Sequence, residues 1–185
     1  ARVTNAVNYA LYQVGWLACV FGAAWSHPWL GVAVGSGTLI AHVMLAERRA
    51  DELRLACLVG LIGTVVESTQ LVAGTLSFSH GTIAAWLPPA WLILLWMQFA
   101  GTLRFSLHWL TERRVAAVLF GAVGGPVAYA AVSRLGIVHF HPDMWRSLPL
   151  LSILWGIAVP LAANAARDRG ESGAGRYRFD RTPSR

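Results

Sequence analysis

Residues 55–75 read LACLVGLIGTVVESTQLVAGT, a stretch of 21 residues in which Glu67 is the single charged side chain. A helix needs about 20 apolar residues to cross the hydrocarbon core of a bilayer. This stretch therefore has the length and the composition of a membrane-spanning helix. A charged sequence at residues 47–54 precedes it and a polar sequence at residues 77–82 follows it, so both ends of the predicted span are marked.

The rest of the chain has the same character. Its 185 residues are 56% apolar and 13% charged, whereas about a quarter of the residues in a globular protein are charged. Five further apolar runs lie at about residues 5–24, 29–46, 86–105, 115–132 and 148–166. The sequence predicts an all-α, polytopic membrane bundle of about six transmembrane helices in residues 1–166. An Arg-rich tail at residues 167–185 follows, with the composition of a disordered arm.

The distribution of arginine predicts the orientation of the bundle. All 15 basic residues are Arg, and 13 of them lie at the two termini and in the even-numbered connections. Only Arg134 and Arg146 lie in the odd-numbered connections. Because basic residues stay on the cytoplasmic side, we expect both termini in the cytoplasm and the protein in the bacterial inner membrane. The net charge of +6 is then a matter of orientation, and nucleic acid is not an expected partner.

Glu67 is the clearest candidate for a functional residue, because an ionisable group inside a membrane is costly. We expect it near the middle of the bilayer. Gly63, Glu67, Gln70 and Gly74 are spaced to lie on one face of the helix. The Glu67 carboxyl either carries a proton or cation, with Gln70 lending a hydrogen bond, or it is protonated and ties two helices together. Neutral buried carboxyls often have the second role, which favours it.

A second row of small and polar residues runs along one face of the first predicted helix. It contains Asn8 and Gly15. Such a row favours close helix packing over the lining of a polar cavity. Gln13 lies off this row and is expected to bond a different neighbour. The candidate intramembrane polar site is therefore Glu67, Gln70, Asn8 and Gln13. The positions expected to allow close packing or to kink a helix are Gly15, Gly63, Gly74, Gly121, Gly125, Pro126 and Pro160.

Four of the six histidines fall in the predicted outer connections: His27, His80, His139 and His141. Imidazoles from three loops can converge on zinc or copper, but their spacing matches no known ligand pattern. We expect ordinary loop residues and no metal site. His42 and His108 are formally able to bind haem, but the sequence pairs them with nothing. No cofactor is predicted, and a bound lipid or pigment is left open.

Catalytic motifs are missing from the sequence, which has no phosphate-binding loop, nucleophile elbow, Cys-x-x-Cys pair or His-Glu-x-x-His helix. The leading hypothesis is a non-catalytic accessory or assembly subunit that packs against other membrane subunits or a second copy of itself. Membrane lipids are the other expected partners. The tail from Arg167 to Arg185 is expected to contact a partner or anionic lipid. The alternatives are a small transporter that uses Glu67 and an enzyme of membrane lipid modification.

Several short sequences occur together along the chain. They are Tyr12-Gln13-Val14-Gly15-Trp16, Glu67-Ser68, Leu87-Pro88-Pro89-Ala90-Trp91 leading to Leu95-Trp96, and Gly124-Gly125-Pro126 with Tyr129. On these residues the chain resembles a family of small bacterial inner-membrane proteins catalogued as domain of unknown function 2878, over about residues 5–166. The resemblance implies a polytopic membrane protein. It brings no assigned activity and no established functional residues.

Overall fold

The computed structural model describes the backbone of residues 5–179 and the side chains of residues 5–167. The described residues form seven helices and two short strands, and the fold class is all-α as predicted. The helices are α1 (Asn5–Ala24), α2 (Pro28–Leu45), α3 (Arg49–Val72), α4 (Ala90–Arg104), α5 (Trp109–Glu112), α6 (Arg114–Ser133) and α7 (Met144–Phe179). The strands, β1 (Leu76–Phe78) and β2 (Val138–Phe140), pair antiparallel.

Four of these helices are long and apolar enough to cross a membrane. They are α2, α3, α6 and the Met144–Arg167 part of α7. Of the six predicted spans, four are therefore supported by the length and composition of their helices. The other two predicted spans correspond to α1, which carries Asn8 and Gln13, and to α4, which has 15 residues. The orientation of the termini stays a prediction.

The structure corrects the predicted start of the third helix. α3 begins at Arg49, so most of the predicted charged loop is its first turns. Asp51 and Glu52 lie in the first turn of α3, where carboxylates interact favourably with the helix dipole. Glu52 is also buried. The charges of this segment are thus part of a helix and of its packing.

The second correction concerns the C-terminal boundary. α7 continues beyond Ala166 to Phe179, where the composition predicted an unstructured arm. The helix has no proline after Pro160 that would interrupt it. Residues 166 and 167 therefore lie inside a helix, and the division into a transmembrane domain and a tail stays a prediction. The side-chain contacts predicted for the tail lie outside the described residues.

α4 occupies the centre of the bundle and packs against α1, α2, α3 and α7. The most extensive helix pairs are α1 with α2, α6 with α7, and α3 with α4. α1 and α6 make no extensive contact with each other. We call the end of the bundle that carries β1 and β2 the sheet end. The opposite end, which carries the α2–α3 connection and residues 104–114, is the Arg-rich end.

Large apolar side chains cover the outside of the bundle. Ile40 is 61% exposed, Val123 is 59% exposed and Ile157 is 55% exposed. The interior, in contrast, holds glycines and several polar side chains. A continuous apolar exterior is typical of a surface that contacts another apolar phase, so the exposure pattern is compatible with a membrane protein.

Glycines permit the close contacts between helices. Gly63 lies against the ring of Trp96, Gly15 lies against the Gln98 side chain, and Gly121 lies against the backbone carbonyl of Trp155. A Cβ atom at any of these positions would overlap its neighbour. Gly125 also lies against Trp155. The neighbours of these glycines belong to the same chain, so the bundle itself accounts for the small residues.

Gly74 has a different role from the predicted one. It lies beyond the end of α3 with a φ of +66°, and no atom lies within 4 Å of where its Cβ would be. Its amide donates to the carbonyl of Leu71, and the Thr75 amide donates to the carbonyl of Gln70. This pattern is the Schellman motif that ends many helices. Gly74 therefore terminates α3 and does not pack against a neighbour.

Pro126 and Pro160 lie inside α6 and α7. Both helices continue through the proline. The predicted kinks at these positions stay predictions.

Candidate functional site

Glu67 lies five residues before the end of α3, which is roughly 8 Å along the helix axis. It is closer to the sheet end than the predicted midplane position. Its side chain is fully buried, at 0% exposure. The indole nitrogen of Trp96 donates to Oε1 at 3.2 Å, and Nε2 of Gln70 donates to Oε2 at 3.2 Å. Both carboxyl oxygens therefore accept a hydrogen bond, and the predicted partner Gln70 is one of the donors.

Two further donors approach this carboxyl from α6 and α7. The hydroxyl of Tyr129 and the indole nitrogen of Trp155 face Glu67 but lie outside hydrogen-bond geometry. Among the side chains that the structure describes, neither has another hydrogen-bond partner. The ring centroids of Trp96 and Trp155 are 4.5 Å apart, and those of Tyr129 and Trp155 are 6.0 Å apart. We call Trp96, Tyr129 and Trp155 the aromatic wall. Glu67 is the point where the wall meets α3.

A second buried polar cluster lies at the Arg-rich end. Nη1 of Arg104 donates to Oε1 of Glu52 at 2.7 Å. Oε2 of Glu52 lies 3.3 Å from Nε2 of His42, and Nδ1 of His42 lies 3.5 Å from Nδ2 of Asn8. The Ser106 hydroxyl donates to Oδ1 of Asn8 at 2.9 Å. We call these five residues the polar chain.

The two ring nitrogens of His42 face different partners in the polar chain. If the Asn8 amide donates to Nδ1 of His42, then Nε2 carries the proton and donates to Glu52. Gly101 lies directly against the His42 ring, and Phe105 contacts its edge at a centroid distance of 5.5 Å. The imidazole is thus held from several sides. This arrangement orients polar groups and neutralises the buried Glu52 charge.

The structure separates the four residues of the predicted polar site. Glu67 and Gln70 meet near the sheet end, whereas Asn8 belongs to the polar chain at the Arg-rich end. Gln13 donates to the hydroxyl of Tyr9 at 2.9 Å and lines a cavity. The predicted site is therefore two buried clusters and one cavity position.

Glu52 and Arg104 are site residues that sequence reasoning missed. A signal existed in the spacing, because the row that contains Glu67 continues toward the start of α3. Its members are all buried at steps of three or four residues: Glu52, Ala56, Gly60, Gly63, Glu67 and Gln70. A predicted loop at residues 47–54 hid this continuation.

A cavity of about 430 Å³ lies between α1, α4 and α6. Leu92 and Leu95 of α4 form its back, and the aromatic wall also lines it. Phe78 of β1 and Val138 of β2 line it at the sheet end, while Ser106 lines it at the Arg-rich end. The cavity therefore extends along most of the length of the bundle and is lined mainly by apolar side chains.

Exposed side chains of α1 and α6 border the cavity. Tyr9 of α1 and Phe120 of α6 line it and are 55% and 37% exposed. These two helices make no extensive contact with each other. The gap between them is the mouth of the cavity.

The four outer histidines do not converge. His80 pairs with the Ser26 hydroxyl at 3.2 Å, His139 with Ser79 at 2.8 Å, and His141 with Ser77 at 2.9 Å. His27 bonds to a backbone carbonyl. Among the residues whose side chains are described, no group of three or more His, Cys, Asp or Glu side chains is placed to hold a metal ion.

Comparison with known protein families gives a match over most of the chain. The family model described as Protein of unknown function (DUF2878) matches residues 5–161. No curated protein and no solved structure matches the chain.

Proposed function

This chain belongs to the DUF2878 family of proteins of unknown function, and we propose from the geometry that it is a membrane protein that binds the apolar chain of a lipid in its lateral cavity. The observation that carries the proposal is the cavity between α1, α4 and α6. Its volume of about 430 Å³ is in the lower part of the range of roughly 300–1,000 Å³ for small-molecule sites. That size suits one chain.

The shape and position of the cavity favour a lipid over a water-soluble ligand. Tyr9 and Phe120 at its mouth are exposed, as are neighbouring apolar side chains of α6, such as Val123, that a bilayer would cover. Leu92, Leu95 and the aromatic wall supply the contacts inside. An apolar chain that moves sideways from the bilayer into such a site stays in an apolar environment throughout, so entry requires no exposure to water.

Six spans are part of this proposal. α1 runs antiparallel along α2, because Gly22 lies beside Gly31 near one end and Asn8 reaches His42 near the other. α4 runs along α3 in the same way, from the Trp96–Glu67 contact to the Arg104–Glu52 pair. A helix that accompanies a spanning helix over its length occupies the same layer. With the Arg-rich end on the cytoplasmic side, the location is the bacterial inner membrane.

The contacts within the bundle give different degrees of support to the three hypotheses drawn from the sequence. The accessory-subunit hypothesis rested on small-residue rows, on the lack of catalytic motifs and on the Arg-rich tail. Helices of the same chain contact the glycines of those rows. The transporter hypothesis rested on Glu67. The two carboxyl oxygens of Glu67 accept hydrogen bonds from Trp96 and Gln70 inside the bundle. A lipid-modifying enzyme also requires a lipid in the cavity. It is the second candidate, favoured by Ser106, which joins the cavity to the polar chain.

The test fills the cavity and measures bound lipid. Gly124 lines the cavity, and the nearest atoms to an added Cβ belong to Phe120 at 4.0 Å. Gly37 on α2 is the matched control, because nothing lies within 4 Å of its Cβ position and it lies outside the cavity lining. The variants Gly124→Phe and Gly37→Phe are purified in mild detergent, and lipid is quantified by mass spectrometry.

The expected result is about one retained lipid per chain in the wild type and in Gly37→Phe, and a large loss in Gly124→Phe. Equal lipid in both variants would contradict the proposal. A visible absorbance band from a retained chromophore would also overturn it in favour of a pigment. A changed membrane lipid profile after deletion of the gene would favour the enzyme candidate.

A further inference from the structure

The cavity has a polar half and an apolar half. Val20 of α1, Leu92 of α4 and Val138 of β2 line it toward the sheet end. Toward the Arg-rich end the lining includes Tyr9, Gln13, Thr102 and Ser106. Hydroxyl and amide groups are thus concentrated where a lipid in the cavity would reach the predicted membrane surface.

The hydrogen bonds already made in the polar half determine which donor and acceptor groups remain free to bind a ligand. Nε2 of Gln13 donates to the Tyr9 hydroxyl, which leaves the Tyr9 proton and the Gln13 carbonyl oxygen. The Ser106 hydroxyl donates to Asn8 at 2.9 Å, so its oxygen retains acceptor capacity. The Tyr12 hydroxyl also lines this half. The polar half therefore offers hydroxyl donors as well as at least two acceptors.

The lining of the polar half is uncharged. Its polar groups are the hydroxyls of Tyr9, Tyr12, Thr102 and Ser106 and the amide of Gln13. The nearby guanidinium of Arg104 is held by Glu52 at 2.7 Å. A phosphate or carboxylate head would find no cation among the residues that line the cavity, and desolvation of such a charge without a paired cation is costly.

We infer that the cavity selects a single-chain lipid with an uncharged hydroxyl head, such as a long-chain alcohol, and binds the head at Tyr9, Gln13 and Ser106. A hydroxyl both donates and accepts, which matches the free groups of the polar half. The chain then extends along Leu92 toward β1 and β2. This inference rests on the proposed function, because it requires that the cavity holds a lipid chain.

The test compares three ligands that share one chain and differ in the head. A long-chain alcohol, its methyl ether and its phosphate monoester compete with a doxyl-labelled alcohol that quenches tryptophan fluorescence in the full-length protein in detergent. We expect the alcohol to bind about three- to tenfold more tightly than the ether, which cannot donate. The phosphate monoester is expected to bind roughly tenfold or more weakly than the alcohol.

A variant locates the effect at the head site. Gln13→Leu removes the acceptor carbonyl, so the alcohol is expected to lose its advantage over the ether while the affinity for the ether is unchanged. Equal binding of all three ligands, or preference for the phosphate, would overturn the inference but leave the cavity as a chain-binding site. No saturable quenching by the labelled alcohol, together with no binding of the ether, would overturn the proposed function as well.

Discussion

The guanidinium of Arg104 donates to the carboxylate of Glu52 at 2.7 Å, and the two side chains are only 12% and 7% exposed. This pair joins α3 to α4 at the Arg-rich end of the bundle. The Trp96–Glu67 hydrogen bond joins the same two helices toward the sheet end. Gly60 and Gly63 lie between the two and let the helices approach. Two polar contacts therefore set the register of these helices.

The first prediction concerns the Arg104–Glu52 pair. Arg104→Met leaves the Glu52 carboxylate buried with only His42 as a neighbour, and loss of one member of a buried pair costs about 3–5 kcal/mol. We expect a clearly lowered unfolding temperature for Arg104→Met and for Glu52→Gln. The double variant should be less destabilised than the sum of the single variants, since no unpaired charge remains. Thermal unfolding in detergent measures the cycle, and strictly additive losses would contradict it.

The second prediction separates the hydrogen bonds of Glu67 from its charge. Glu67→Gln keeps an oxygen that accepts from Trp96, so we expect a small change in stability and an unchanged lipid content. Glu67→Leu leaves the Trp96 and Gln70 donors buried without a partner, at a cost of about 1–3 kcal/mol for such a group. Unfolding followed by tryptophan fluorescence compares the two variants. If Glu67→Gln is as destabilised as Glu67→Leu, the carboxylate charge itself is required.

The third prediction concerns the close approach at Gly63. A methyl group there overlaps the Trp96 ring, so Gly63→Ala should displace the aromatic wall and destabilise the protein by about 1–3 kcal/mol. Gly37→Ala is the control, because its Cβ meets nothing within 4 Å and alanine favours a helix by up to about 1 kcal/mol. Unfolding temperatures should therefore move in opposite directions. Similar shifts for the two variants would mean that Gly63 is not a contact point.

The fourth prediction is the orientation of the bundle. A reporter enzyme that is active only in the periplasm, fused after His80 at the sheet end, should be active. The same reporter fused after Glu112 at the Arg-rich end should be inactive, because positively charged connections stay in the cytoplasm. The opposite pattern would reverse the orientation, and activity at both sites would contradict six spans.

The sequence predicted the bounds of α1, α2 and α6 well because each is a long apolar run, whereas α4 begins at Ala90, about four residues after the predicted start. α1 begins and ends at the predicted residues, and α2 and α6 differ from prediction by about one residue at either end. The errors occurred where composition and structure diverge. Residues 49–54 are mostly charged but form part of a helix. Gly74 is spaced to lie on the same helix face as Glu67 and Gln70, but it ends the helix. Local composition does not report which charges find a buried partner.

The candidate site could be predicted only in part. Glu67 and Gln70 are three residues apart on one helix, and their hydrogen bond follows from that spacing. The Arg104–Glu52 pair joins residues 52 positions apart, so it depends on the register of two helices. The cavity depends on the separation of α1 from α6. The residue pattern within either helix does not indicate that separation.

The most direct test of the account is a crosslinking map of the lipid contacts in intact membranes. Leu92 and Leu95 lie on α4, are 6% and 9% exposed, and line the cavity. Bulk lipid reaches Leu61 and Val123 on the outside of the bundle, which are 61% and 59% exposed. Intact membranes are incubated with a fatty acid or with a long-chain alcohol that carries a photoreactive diazirine. They are then irradiated, and the residues modified by either probe are identified by mass spectrometry. A lipid chain in the cavity predicts adducts on Leu92 or Leu95 as well as on the outer residues, and loss of the α4 adducts in Gly124→Phe. Adducts confined to outward-facing residues such as Leu61 and Val123, with none on α4, would contradict the central claim.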